Sequence, residues 1–322
     1  MNKIIERIER ELGMPNLATR LAQELSPTDL QSLLLEVYRQ RAERRRPAEV
    51  LADYENDRFV QPGRVPPLLI QRWEQTAFEQ LPPEFEPLVL SPVAPLGTNS
   101  VVATVDQNWA VSTVRNTEVV SDSTNVLALE CALRRRALLA TQPKSRTPVH
   151  LATAHRLLRA QQYDNPAFSS HFSIFSLCSA GRDMGNFQFE LGSATLHLRS
   201  YLTALRAYLG PKVPLRVTLS DVSRRIPERL LSSALSPLET DFPNVEFALD
   251  PERTRAAGYY ENVAFLIHAT APSGEEIELA DGGSVNWTQQ LLSNAKERLV
   301  ISGIGSERVC TAFGERRNTE SH

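Results

Sequence analysis

The sequence predicts a mixed α/β chain in which a small helical segment precedes one larger domain. Apolar residues recur at helical spacing through residues 1–60, and period-two strands alternate with helices from there on. The C-terminal stretch 255–308 strings two alternating strands, a short apolar strand and a glycine-flanked entry into a helix.

Composition bounds the answer. With 322 residues, 42% hydrophobic and 23% charged, the chain matches an ordinary globular protein able to bury one large core. A formal net charge of −3 gives no global attraction to nucleic acid, so such a contact would need a local basic patch. Cys131, Cys178 and Cys310 lie far apart with no zinc-like spacing, which points to a reducing cytoplasm and no protein-held metal. The opening MNKIIERIERELG alternates charge with apolar residues, so neither a signal peptide nor a membrane span is expected.

Ile4, Ile5, Ile8 and Leu12 form the apolar stripe of a first helix. Ser26-Pro27-Thr28-Asp29 reads as an N-cap, a first-turn proline and an acidic third residue. That helix runs to about Arg45, Pro47 ends it, and a short helix at 48–54 leads into the proline-rich RFVQPGRVPP, so residues 1–60 are a helical domain. Arg39, Arg41, Arg44, Arg45 and Arg46 read as a solvated run at a helix C-terminus rather than as a nucleic-acid contact. A helix over 68–81 carries Leu69 and Trp73, which serve either a self-complementary contact or the chain's own core.

SVVATV and WAVSTVR alternate as strands, and TEVV passes into a helix that Asp122 or Ser123 caps. Arg134, Arg135 and Arg136 on that helix are expected in solvent. Val149, Leu151 and Leu157 mark a strand, Asp164-Asn165-Pro166 a polar turn, and His171 to Leu177 a second strand. A long helix over 187–209 stops at Gly210-Pro211; PLRVTLSD, a helical insertion and VEFALD follow. Gly282-Gly283 reads as a turn, and residues 315–322 as a disordered tail.

Four stretches share an order. They are LLIQRWEQTAFEQLPPEFEPLVLSP with Pro92 near its end, VHLATAHRLLRAQQYDNPAFSSHFSIF, LDPERTRAAGYY and SGIGSERV. This order resembles the catalytic core of class II aminoacyl-tRNA synthetases, and within them histidyl-tRNA synthetase and its regulatory paralogue, over roughly residues 85–310. The resemblance implies a mostly antiparallel sheet flanked by helices at 61–314 and a homodimer; the short VCTAFGERRNTESH after Arg308 is expected to leave no room for an anticodon-binding domain, so tRNA is not an expected partner.

It also implies roles. Arg159 would join the α-phosphate of ATP to an attacking carboxylate, with Arg255 on the same atoms and Arg308 on the distal phosphate. Phe172 would stack the adenine and Gln161 would replace a Glu at its amino group. Asp122, Thr124, Tyr259 and Tyr260 would line the amino-acid pocket, and Mg2+ would come with ATP. Arginine suits this because its planar charged fork binds two oxygens at any working pH. Taken alone, the same residues also read as surface cations, Arg308 as an ion-pair partner of Glu307 or another acid, and the tyrosines as half-buried strand aromatics.

Departures from the pattern matter equally. Gly258 stands where an acid precedes the tyrosine pair, Ser284, Val285 and Asn286 replace an Arg-Tyr-Asp run, and Ile174 and Cys178 replace polar contacts to an imidazole. Free histidine is therefore a poor fit, since unpaired ring nitrogens are costly. The expected function is ATP-dependent activation (adenylation) of an amino acid or related carboxylate, passed to an acceptor other than tRNA. The alternative is a non-catalytic regulatory or ligand-sensing subunit acting through a protein partner.

Overall fold

A computed structural model of the chain describes residues 3–161, 169–253 and 258–313. Four helices open it: α1 (Lys3–Leu12), α2 (Leu17–Gln23), α3 (Pro27–Glu43) and α4 (Pro47–Asn56). The Ser26 hydroxyl accepts the Asp29 amide at 3.1 Å, the cap expected from the sequence. Helix α2, which the sequence pattern did not announce, fills the gap before it. The basic run is neutralised locally, Arg39 by Glu36 and Glu43, Arg45 by Asp53 and Arg46 by Glu49. None of the described residues in these four helices is buried. No helix among the described residues is long and apolar enough to cross a membrane.

From α5 (Pro67–Glu79) onward the chain builds a layered core. Its strands are β1 (Phe85–Pro87), β2 (Val93–Pro95), β3 (Thr117–Val119), β4 (Val149–Leu158), β5 (His171–Arg182), β6 (Leu215–Asp221), β7 (Val245–Leu249), β8 (Val263–Thr270), β9 (Glu276–Val285) and β10 (Glu297–Gly305). Its remaining helices are α6 (Ser123–Thr141), α7 (Gln188–Leu209), α8 (Glu228–Asp241), α9 (Trp287–Leu292) and α10 (Ser306–Phe313). Eight strands form one sheet in the order β1-β4-β5-β10-β9-β8-β6-β7, and β2 pairs with β3 apart from it. The centre is antiparallel throughout, and only the outer pairs β1/β4 and β6/β7 are parallel.

Period-two alternation divides the sheet into two faces. Leu151, Cys178, Ala180, Leu299 and Ile301 point to α6 and α9, where Leu127, Cys131 and Trp287 cover them. Ala152, Phe175, Leu177, Val217, Phe265 and Ile304 point the other way, onto α5, α7, α8 and α10. Trp73 of α5 is fully buried there and meets Tyr208 edge-on at 5.4 Å, so it belongs to the chain's own core and not to a dimer face.

Three expectations fail for identifiable reasons. SVVATV and WAVSTVR are not strands: residues Thr98–Val102 make a π-helical turn and Gln107–Trp109 a 3-10 turn. The buried carboxylate of Glu118 accepts the Gly97 and Asn99 amides at 3.0 and 2.7 Å and the Gln107 side chain at 2.7 Å, which curls this backbone around one acid. Arg135 is not in solvent; its guanidinium donates to both oxygens of Glu297 at 2.7 and 2.9 Å, and both side chains are fully buried. Gly282 and Gly283 are strand residues rather than a turn. A Cβ on Gly283 would fall 2.6 Å from the Tyr260 ring, and one on Gly282 would fall 2.4 Å from Phe265.

Candidate functional site

The α6 face of the sheet changes character toward the C-terminal end of β10. Gly303 follows Leu299 and Ile301 on that face, and opposite it β5 presents Phe172, Ile174 and Ser176. With no side chain on Gly303, Ile174 lies close over the strand there.

Asp122 stands at the lip, at the N-cap of α6. Its Oδ1 accepts the Thr124 amide at 2.9 Å and the Thr124 hydroxyl at 2.8 Å, which fixes the carboxylate. The other oxygen, Oδ2, accepts from Arg159 Nη2 at 3.1 Å. Arg159 leaves the end of β4, donates Nε to the Ser121 carbonyl at 2.9 Å, and lies 5.1 Å from the centre of the Phe172 ring. The side chains of Arg159 and Asp122 are 31% and 24% exposed, so the pair is screened by protein on one side only.

Tyr259 and Tyr260 close the far side, with ring centres 5.0 Å apart, and Tyr259 also meets Trp287 edge-on. Burial pushes both phenols well above their ordinary range; for Tyr259 the Asp122 carboxylate adds to that and Arg159 opposes it, which places this ring in the field of the pair. Below them Arg253, its side chain 2% exposed, pairs with Asp281 at 2.8 Å and lies over the Tyr260 ring. Cys178 lies under the first turn of α6, where burial holds its thiol well above the ordinary range and therefore protonated.

The structure thus brings together Asp122, Thr124, Arg159, Phe172, Tyr259 and Tyr260. It sets apart two other candidates. The carbonyl of Gln161 accepts from Arg58 at 3.0 Å, at the edge of the described chain. Arg308 begins on the same sheet face, its Cβ over Gly305, but its Nη1 donates to the Glu278 carbonyl at 2.8 Å and stands 3.9 Å from the Glu278 carboxylate. Glu307 is not its partner, being held by Arg156 and the Ser173 amide. Arg255, and the Asp164-Asn165-Pro166 turn, lie outside the described residues. The Arg253–Asp281 pair was not picked out in the sequence; the only signal was a basic residue ahead of the tyrosines and an acid beside the strand glycines.

The departures also find structural work. The Ser284 hydroxyl accepts the Asn262 and Val263 amides at 3.1 and 3.0 Å, and Val285 is core. Neither offers a group to a ligand in this arrangement. Among the described residues, each cation in the cleft has its own carboxylate, Arg159 with Asp122 and Arg253 with Asp281. A triphosphate needs surplus positive charge, so these residues do not by themselves fit ATP with Mg2+.

Neither a protein-family model nor a curated protein sequence matches the chain. Solved structures do. An ATP phosphoribosyltransferase regulatory subunit/histidyl-tRNA synthetase from Bacillus halodurans C matches with a TM-score of 0.56 and 13% identity, over 79% of this chain and 82% of that one. The apo histidyl-tRNA synthetase of S. aureus gives 0.56 and 11%, over 80% and 73%. A histidine--tRNA ligase subunit from Alicyclobacillus acidocaldarius subsp. acidocaldarius gives 0.53 and 14%, over 81% and 97%. The chain has the class II synthetase-like fold that the sequence motifs imply. At these identities the likeness is one of fold and does not itself carry an activity.

Proposed function

We propose that the chain is a ligand-sensing relative of the class II synthetase core, which binds a small zwitterion such as an amino acid between Asp122 and Arg159 and acts through a partner protein. One observation carries this reading: the cleft holds a partly exposed carboxylate–guanidinium pair at 3.1 Å, with no surplus charge around it among the described residues. An amino acid offers the same two charges in reverse. Its ammonium satisfies Asp122 and its carboxylate satisfies Arg159, and the cleft stays neutral. Breaking a partly exposed internal pair costs about 1 kcal/mol or less, so the exchange is energetically open. Tyr259 and Ile174, the partly exposed members of the surrounding set, would then face the ligand side chain, which favours an apolar or aromatic one over imidazole.

Calorimetric titration with a panel of free amino acids tests this. Saturable one-to-one binding by one or a few members supports it, and a flat response across the panel contradicts it.

Adenylation of that ligand, with transfer to a non-tRNA acceptor, is the second reading. What supports it is that Arg308 starts on the Phe172 and Ile174 side of the sheet and that its side chain is 43% exposed, free to swing toward a phosphate. Arg308 would have to turn in to supply positive charge to the phosphates. ATP–pyrophosphate exchange dependent on the bound amino acid, and lost in Arg308→Ala, would establish this reading over the first.

A further inference from the structure

A second cavity lies at the end of the sheet where β10 begins, between the start of α7 on one side and α9 on the other. It has a volume of about 420 Å³ and is walled by Asp183 after β5, Glu190 in the first turn of α7, Arg225, Glu261, Gln289 of α9 and Arg298 of β10. The wall nearest α7 is built by three successive left-handed residues, Gly185, Asn186 and Phe187, with φ of 82°, 48° and 56°. Such a run in non-glycine residues costs about 1–2 kcal/mol each and gathers where a segment is shaped around something.

The informative group is Glu190. The residue is 2% exposed, yet its Oε2 has no hydrogen-bond partner, while Oε1 stands 3.1 Å from Arg298 Nε. Arg298 cannot serve the second oxygen, because its Nη2 is on Asp183 at 3.0 Å and its Nη1 on the Ala295 and Glu297 carbonyls. Arg225 is turned to Asn262 at 2.8 Å, and Glu261 to Asn286. A buried carboxylate oxygen left unmade is expensive, about 1–3 kcal/mol. Asp183 also meets the Lys296 ammonium at 3.6 Å, so the charges around the cavity balance and what is left unmet is the second oxygen of Glu190.

We propose that this cavity is a binding site for a small organic cation with N–H donors, a primary ammonium or guanidinium, whose donors complete Glu190 Oε2. The recognising chemistry is a charge-assisted hydrogen bond in a partly enclosed site, which discriminates because Glu190 Oε2 has no donor without the ligand. Burial raises the Glu190 carboxyl above its ordinary range even though Arg298 pulls it the other way. The site is separate from the Asp122–Arg159 cleft, and neither proposal depends on the other.

The experiment is calorimetric titration of the full chain with agmatine, against 1-butanol and butyrate as neutral and anionic controls. Agmatine is expected to bind one-to-one while neither control does. Glu190→Gln should weaken it at least tenfold. Gln289→Lys, at a partly exposed wall position, places an internal ammonium in the cavity and should weaken agmatine to the same degree in a chain that still melts cooperatively. Absence of agmatine binding to the unaltered chain, binding by butyrate as tight as by agmatine, or agmatine affinity unchanged in Gln289→Lys would each overturn the proposal.

Discussion

Arg135 and Glu297 sit between α6 and β10 with no contact to water, the guanidinium also capping the Thr147 carbonyl at 2.7 Å. Removing one member strands the other charge in the interior, which costs about 3–5 kcal/mol, whereas removing both leaves only a packing defect. Urea unfolding should therefore show Glu297→Leu to be less stable than the double variant Arg135→Met/Glu297→Leu. The reverse order would show that the pair is not desolvated. A second residue-scale consequence concerns acid. Burial lowers the proton affinity of His150, His155 and His197, and His197 is wedged between the Ser179 and Ser302 hydroxyls at 2.8 and 2.7 Å. All three bind a proton more weakly folded than unfolded, so stability holds above the ordinary value of 6.5 and falls as pH drops through it. Melting curves between pH 8 and pH 5 (about the span where histidine titrates) should show this fall, with a shallower slope in His197→Gln; a melting temperature that rises on acidification contradicts the assignment.

At the scale of elements, the glycines of β9 decide how the tyrosine pair is held. Gly283 lets the Tyr260 ring lie against the strand, and an added Cβ would also fall 2.5 Å from the Val263 carbonyl, a backbone atom that cannot yield. Gly283→Ala is expected to cost about 1–3 kcal/mol by overpacking. Because Tyr260 in turn supports Tyr259 at 5.0 Å, ligand affinity at the Asp122–Arg159 pair should fall with it. Stability and affinity measured on the same variant check both halves; an unaffected melting point shows that Tyr260 has room to move. The same elements show what a sequence can disclose. Strands β4, β5 and β8 and helices α3 and α7 were legible because one face of each is buried and period or capping marks it. Residues 98–110 were not, since their alternation mimics a strand while Glu118, distant in sequence, organises them as turns. The strand glycines misled because a Gly-Gly pair looks the same whether it turns the chain or admits an aromatic ring from elsewhere.

For the whole molecule, the order of loose motifs was enough to read the fold, since each motif marks a different strand or helix of one sheet. The site was legible in part. Asp122, Thr124, Arg159, Phe172, Tyr259 and Tyr260 converge, although they span much of the chain. Their electrostatic state was not legible, because whether a guanidinium is available to a phosphate depends on which acid lies beside it. Arg135, expected in solvent, and Arg308, expected on a phosphate, both went to partners that only the packing defines. The account turns on Asp122 and Arg159 being exchangeable for a ligand's own ammonium and carboxylate. A ligand-by-variant titration tests this most directly, taking the tightest amino acid of the panel, its N-acetyl form and its amide against the unaltered chain, Asp122→Asn and Arg159→Met. N-acetylation should cost at least about tenfold in the unaltered chain and little further in Asp122→Asn, and amidation should behave in the same way toward Arg159→Met. Equal losses in all three chains, or blocked ligands binding as tightly as the free amino acid, would contradict it.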